Sequence, residues 1–214
     1  HPLPPAFVPA IRRADAVIVP SRFCYDLFRP HLRGIPLATC PLGFDPKVFY
    51  PPEKPRTWVG TREWRYADER LRFLWCGSPS ARKGWDRLTQ SWSFVMGQEP
   101  WCELMFKTTD ENAPGTEGMT YRVSHNVSLT TKTYTWQELG DMYRRAHVFV
   151  APSHGEGWGL TPLEAMATGL PTIVTKFGGV LDFCTERTAI FTTHEFDTVE
   201  TPIGPARFAF AKLG

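Results

Sequence analysis

Short apolar runs alternate along this chain with segments in which apolar residues recur at helical spacing. Runs that are apolar throughout are typical of buried strands, and their alternation with helices indicates a parallel sheet. We therefore predict an α/β fold in which helices cover both faces of that sheet. The predicted strands span residues 16–19, 35–39, 71–76, 103–107, 127–129, 148–151 and 172–175.

Capping residues indicate where the predicted helices begin. Ser21 is typical of an N-cap, and its helix must end before Pro30. Residues 84–96 carry apolar side chains at helical spacing and predict a second helix. Thr135 and Glu138 have the spacing of a capping box, in which the hydroxyl and the carboxylate each accept a free backbone amide.

Ligands of a parallel sheet lie beyond the carboxyl ends of its strands. The loop that follows residues 148–151 contains Gly155, Gly157 and Gly159, which let the backbone approach a ligand. It leads into a predicted helix whose first amides form an anion site. The pattern predicts a bound diphosphate, with a tight turn that holds no ligand as the alternative.

Two carboxylates follow in this loop and helix. Thr161 and Glu164 form a second capping-box pattern, with Pro162 at the first helical position and Gly169 at the end of the helix. Helix capping therefore explains Glu164 as well as a ligand does. Glu156 lies among glycines, where a carboxylate has no evident structural role.

A second loop after a strand carries basic residues. It runs from Gly77 to Gly84 and contains Arg82 and Lys83, which can reach phosphate oxygens. The Gly-Lys-Ser/Thr order of a Walker A site is absent, so we exclude that motif. Because both loops lie at one edge of the predicted sheet, they predict a nucleoside diphosphate held between them.

Composition excludes several classes of protein. The 214 residues are 42% hydrophobic and 21% charged, as in ordinary globular domains. The net charge of +2 argues against a nucleic-acid binder. No apolar run reaches the roughly 18 residues of a membrane span, which leaves peripheral membrane contact open. The pattern sets no oligomeric state.

The cysteines and the first residues bear on location. The five cysteines are odd in number and form no CxxC motif, which favours a reducing, cytoplasmic compartment. No His, Cys, Asp and Glu residues have metal-ligand spacing, so we expect no metal site. The sequence shows no leader segment. Because it begins with His1 and not with methionine, we expect it to be cut from a longer protein. The Pro-rich segment 50–70 is predicted to be a linker or surface loop.

These motifs together give the chain a resemblance. It resembles the C-terminal half of the retaining glycosyltransferases of family 4, which have the GT-B fold of two facing Rossmann-like domains. That family is marked by two glutamates separated by seven residues. The similar segments are Glu156-Gly-Trp-Gly-Leu160, Glu164-Ala-Met166, Gly169-Leu-Pro171, Gly77 with Lys83-Gly84, Ala14–Ser21 and Leu42–Asp45.

The resemblance implies a role for each matching residue. Glu156 would be the catalytic glutamate that contacts the donor sugar, Glu164 would hold the nucleotide ribose, and Lys83 would neutralise the diphosphate. The backbone of Gly159, Leu160 and Thr161 would cradle the phosphates. Such enzymes typically need neither a metal nor a cofactor, which agrees with the absence of metal-ligand spacing.

The chain also departs from the family pattern. Ser78 stands after Gly77 where the family usually has arginine, so either Arg82 would supply that charge or diphosphate binding would be weaker. Residues 1–40 would be a remnant of the N-terminal domain and the crossover. Residues 41–214 would be the Rossmann-like domain that binds the nucleotide sugar, truncated at its C-terminus.

The resemblance therefore predicts a retaining glycosyltransferase. It would bind a UDP- or GDP-linked sugar and transfer the sugar to a hydroxyl of a saccharide or glycan. Because most of the N-terminal domain is missing, two alternatives stay open. The chain could be a module that binds a nucleotide sugar without turnover, or a GT-B-like sugar-nucleotide epimerase.

Overall fold

The computed structural model describes residues 3, 5–53, 70–109, 118–201 and 204–211. Its α-helices are α1 (Val8–Ile11), α2 (Arg22–Phe28), α3 (Trp85–Val95), α4 (Trp136–Arg145) and α5 (Leu160–Ala167). Its strands are β1 (Val17–Val19), β2 (Leu37–Thr39), β3 (Leu71–Cys76), β4 (Cys102–Lys107), β5 (Thr120–Ser124), β6 (Val127–Thr130), β7 (Val148–Ala151), β8 (Thr172–Thr175), β9 (Ile190–Thr192), β10 (His194–Thr201) and β11 (Gly204–Ala211).

A seven-stranded sheet carries the fold, in the order β5-β6-β4-β3-β7-β8-β9. Each neighbouring pair is parallel except β5 with β6. From β3 the chain builds outward through β4 and β6, then returns through α4 to β7 on the other side of β3. The sheet therefore has its switch point between β3 and β7, where a ligand crevice is expected.

Helices cover both faces of this sheet, as predicted. Successive side chains of a strand point to opposite faces, so β3 supplies Trp75 to one core and Leu74 to the other. On the first face Trp92 of α3 packs edge-on against Phe73, with ring centroids 5.1 Å apart. On the second face α4 and α5 bury Tyr143, Met142 and Ala165. The α/β fold class is confirmed.

Most predicted elements occur within two residues of their predicted ends. Ser21 caps α2, where its hydroxyl accepts a hydrogen bond from the Cys24 amide at 3.1 Å. The first capping box is also confirmed at α4. Thr135 Oγ1 accepts from the Glu138 amide at 3.3 Å, and the Glu138 carboxylate accepts from the Thr135 amide at 2.8 Å.

The second predicted capping box is wrong. Helix α5 begins at Leu160 with Gly159 as its N-cap, in the left-handed region at φ +99°. Thr161 is therefore already inside the first turn, where its hydroxyl cannot serve as an N-cap. Pro162 is the third helical residue, which is tolerated because the first amides of a helix have no intrahelical acceptor. Glu164 therefore does not cap this helix.

Several elements carry no periodic signal in the sequence. Strand β5 pairs antiparallel with β6, and all five of its residues are exposed, so it shows no apolar run. Strands β10 and β11 pair antiparallel with each other. Strands β1 and β2 form a separate parallel pair. The predicted linker at residues 50–70 lies mostly outside the described residues, and the boundary at residue 40 stays a prediction.

Candidate functional site

The loops that follow β3 and β7 touch at the switch point. Gly84 has φ +66°, and a Cβ atom placed on it would lie 2.0 Å from the Pro152 carbonyl oxygen. The His154 amide donates a hydrogen bond to the Arg82 carbonyl oxygen at 2.7 Å. Only glycine fits at position 84. The two loops predicted to hold phosphate are therefore in direct contact.

The Glu156 carboxylate lies at the centre of this junction. Lys83 Nζ is 2.6 Å from its Oε1 atom, and Arg82 Nη1 is 3.2 Å from its Oε2 atom. Ser153 Oγ donates a further hydrogen bond to Oε1 at 2.9 Å. The Glu156 side chain is only 10% exposed and that of Lys83 only 18%. The fold thus brings together three residues that the sequence singled out from two different loops.

The backbone of Glu156 is fixed by the loop after β8. The Gly179 amide donates to the Glu156 carbonyl oxygen at 2.8 Å. Gly178 has φ +89°, and a Cβ on it would lie 2.7 Å from the same oxygen. A Cβ on Gly179 would lie 2.1 Å from the Gly157 carbonyl oxygen. Three loops at the carboxyl edge therefore hold Glu156 in place.

The N-terminus of α5 completes this edge of the site. Gly159 turns the chain into the helix, and Leu160 and Thr161 carry the first helical amides, which have no acceptor within the helix. The Leu160 side chain is 43% exposed. These amides and the helix dipole favour an anion next to Glu156 and Lys83.

Gly77 and Ser78 lie at the start of the first loop. The Gly77 amide donates to the Lys107 carbonyl oxygen at 3.0 Å, which ties the loop to the end of β4. A Cβ on Gly77 would contact the stem of Lys83 at 3.8 Å. The Ser78 carbonyl accepts from the Ser80 amide at 2.8 Å as the loop turns. Gly77 thus borders the Lys83 side chain, and Ser78 follows it in the same loop.

Glu164 lies on α5 behind this edge and binds a buried tyrosine. Tyr143 Oη donates to Glu164 Oε2 at 3.0 Å. Burial raises the pKa of Glu164, and the hydrogen bond from Tyr143 opposes that rise. Cys76 packs in the same core cluster as Tyr143, and burial raises the pKa of its thiol to about 11. Cys76 is therefore a protonated thiol near neutral pH.

Sequence reasoning missed Lys107 and Tyr143. Lys107 is paired in register with Cys76 on one side and with Thr130 on the other, so it lies at the carboxyl edge of the sheet. It is 8% exposed, with its ammonium group 5.5 Å from the Tyr134 ring centroid. A lysine that ends a strand directly after the apolar residues Leu104, Met105 and Phe106 is the signal that could have identified it. Tyr143 had no such signal, because its spacing is that of an ordinary core residue.

His154 is the remaining polar candidate in the second loop. Its side chain is 1% exposed, and burial lowers its pKa. Its burial favours a packing role over that of a general base. Across the described ranges, no three His, Cys, Asp or Glu side chains gather as metal ligands would. None of the helices described combines the length and apolar character of a bilayer crossing.

Comparison with known proteins decides the family. A profile described as Glycosyl transferases group 1 matches residues 70–200, which include both loops and α5. The chain belongs to the group 1 glycosyltransferases. This glycosyltransferase chain is 31% identical over 169 residues to mannosylfructose-phosphate synthase of Agrobacterium fabrum, a match that covers 73% of the chain and 35% of that relative.

A second relative covers more of the chain. The lipopolysaccharide core biosynthesis mannosyltransferase LpsB of Rhizobium meliloti is 30% identical over 187 residues, which are 82% of this chain and 49% of LpsB. This glycosyltransferase chain thus spans about half or less of the length of these curated relatives.

A solved structure agrees on the fold. Sucrose-phosphate synthase from Thermosynechococcus elongatus superposes with a TM-score of 0.65 at 24% identity, over 87% of this chain and 47% of that one. The group 1 chain therefore has the Rossmann-like α/β arrangement of the GT-B glycosyltransferases.

Proposed function

We propose that this chain binds a nucleotide-diphosphate sugar as the donor domain of a retaining glycosyltransferase of family 4. The observation that carries the proposal is the junction at the sheet's switch point. There Lys83 and Arg82 of one loop meet Glu156 of the other, next to the N-terminus of α5. Two cationic side chains next to a helix N-terminus suit a diphosphate.

The diphosphate would lie between Lys83, Arg82 and the first amides of α5. Gly77 borders the Lys83 stem, and the backbone of Gly77 and Ser78 would lie close to the ligand. These groups would stabilise the charge that develops on the leaving nucleoside diphosphate. Because they supply positive charge themselves, we propose that binding needs no metal or cofactor. A chelator should then leave binding unchanged.

The two glutamates would hold the rest of the donor. Glu156 lies against the cations that bind the diphosphate, so its carboxylate would contact hydroxyls of the adjoining sugar. Glu164 would accept hydrogen bonds from the ribose. An acceptor hydroxyl would then attack the anomeric carbon from the face on which the carbon–oxygen bond to phosphate breaks. The hydroxyl proton would pass to the departing diphosphate oxygen.

The relatives support a sugar donor and a saccharide acceptor. One is named as a synthase of mannosylfructose phosphate and another as a mannosyltransferase of lipopolysaccharide core biosynthesis. We propose a UDP- or GDP-linked hexose as donor and a saccharide or glycan hydroxyl as acceptor. The five cysteines are free thiols, which supports a cytoplasmic location.

Calorimetric titration with UDP, GDP and ADP, followed by their sugar conjugates, tests this proposal. We expect one diphosphate to bind selectively, and its sugar conjugate to be consumed only when a saccharide acceptor is added. Consumption without an acceptor would favour an epimerase, and binding without turnover would favour a binding module. Failure of the folded chain to bind each of these nucleotides would contradict the donor site.

A further inference from the structure

The hydroxyl of Tyr143 lies beneath the candidate site in a fixed position. Tyr143 is 0% exposed, and its ring packs edge-on against Phe49 and at a tilt against Phe149, with centroids 5.6 Å apart in both pairs. Neighbours on both sides therefore hold the ring. Such a ring delivers its hydroxyl to a constant place.

That hydroxyl engages one oxygen of the Glu164 carboxylate. Tyr143 Oη donates to Glu164 Oε2 at 3.0 Å, so we expect a ligand to engage mainly Oε1. Glu164 is released from the predicted capping role, so this bond is what restrains its carboxylate. The bond also favours the ionised form, against the burial that raises the pKa of Glu164.

We propose that Tyr143 is a positioning residue that orients Glu164 toward the ribose hydroxyls and thereby makes the site selective for ribonucleotides. This inference rests on the proposed function, in which Glu164 accepts from the ribose. A carboxylate that a buried donor holds needs little reordering when it binds. A freely rotating carboxylate would lose part of its binding energy to ordering.

Tyr143→Phe removes the hydroxyl and keeps the buried ring. Calorimetry would compare UDP and GDP with their 2′-deoxy and 3′-deoxy counterparts, on this variant and on the unaltered chain. We expect the affinity for the ribonucleotide to fall about tenfold, as is typical for a hydrogen bond to a charged group. The affinity for the deoxy counterparts should change little. The ratio of ribonucleotide affinity to deoxynucleotide affinity should therefore shrink.

Two further variants keep the test decisive. Tyr121→Phe removes a hydroxyl from the exposed strand β5 and should leave both affinities unchanged. Glu164→Gln should shrink the ratio as far as Tyr143→Phe does, or further. If Glu164→Gln leaves the ratio intact, the ribose role in the proposed function is wrong, and the positioning role falls with it.

The remaining outcomes separate positioning from structure. If Glu164→Gln shrinks the ratio and Tyr143→Phe does not, the proposed function stands and the positioning role is wrong. Equal losses for both sugars in Tyr143→Phe would also overturn it, because they would indicate a general structural effect. The thermal midpoint of each variant would be measured alongside.

Discussion

Lys83 and Glu156 form an ion pair of 2.6 Å between the two loops that define the candidate site. Both side chains are largely shielded from water, so this contact is screened less than a surface pair. The same ammonium group is the proposed ligand of the donor diphosphate. The Glu156 carboxylate and a diphosphate therefore compete for one cation, and donor binding should exchange one anionic partner for the other.

Replacing Glu156 with glutamine should tighten the binding of nucleoside diphosphates. The change keeps the shape of the side chain, removes the competing charge and ends its repulsion of the phosphates. A unit charge about 4 Å away is worth roughly 1 kcal/mol even in water, so we expect an affinity about fivefold higher. Transfer of the sugar should fall, because the proposed contact to the sugar hydroxyls is weakened. Calorimetry with UDP and GDP would measure the first effect and product formation the second.

Glu103→Gln is the matched control for that experiment. Glu103 pairs with Arg72 at 2.9 Å on strands β4 and β3, outside the junction of the two loops. Its removal changes the net charge equally and should leave diphosphate affinity unchanged. Unchanged or weaker binding in Glu156→Gln would show that the two anions do not share Lys83.

Replacing Lys83 with methionine should weaken diphosphates more than the free nucleoside. Methionine retains the stem of the side chain and removes its charge, so the affinity for UDP or GDP should fall more than tenfold. Uridine or guanosine should bind as before. Lys176→Met is the control, because Lys176 pairs with Glu186 at an exposed site. Equal losses for nucleoside and diphosphate would remove Lys83 from the phosphate site.

The sequence predicted the elements whose side chains are buried in a regular pattern. Strands β3, β7 and β8 occur as predicted, because each is a short apolar run enclosed between helices. Strand β5 was not predicted, because its residues are exposed and do not form an apolar run. Helix α5 began earlier than predicted, because Gly159 takes a left-handed conformation that a search for hydroxyl caps does not detect.

The candidate site was predictable in part. Glu156 was singled out because a carboxylate among glycines has no evident structural role, and Lys83 because it lies in a loop from strand to helix, where it could reach phosphate oxygens. Their pairing could not be derived, since it depends on the contact between Gly84 and Pro152, which are far apart in the sequence. The site role of Tyr143 could not be predicted, because an aromatic residue at helical spacing is typical of an ordinary core position.

Gly84→Ala tests how tightly the two loops are joined. Its Cβ would lie 2.0 Å from the Pro152 carbonyl oxygen, so the loops must separate and we expect more than about 3 kcal/mol of destabilisation. Gly34 also has a left-handed φ, of +77°, but among the described residues no atom beyond its two chain neighbours lies within 4 Å of its Cβ position. Gly34→Ala should therefore cost only the backbone strain of about 1 kcal/mol. Urea unfolding measures both, and equal losses would show that the loops are not in tight contact.

Glu164→Gln should separate stability from binding. Burial raises the pKa of Glu164 in the folded protein, so its contribution to stability is present at low pH and is lost as pH rises through the raised value. Glutamine has no such loss, and its amide oxygen can still accept from Tyr143. The variant should therefore gain stability relative to the unaltered chain as pH rises above the ordinary carboxyl value of 4.5, while its ribonucleotide affinity falls about tenfold. Urea unfolding of both proteins at several pH values measures this difference. If the variant instead loses stability relative to the unaltered chain as pH rises, the Glu164 carboxylate is stabilising and the prediction is wrong.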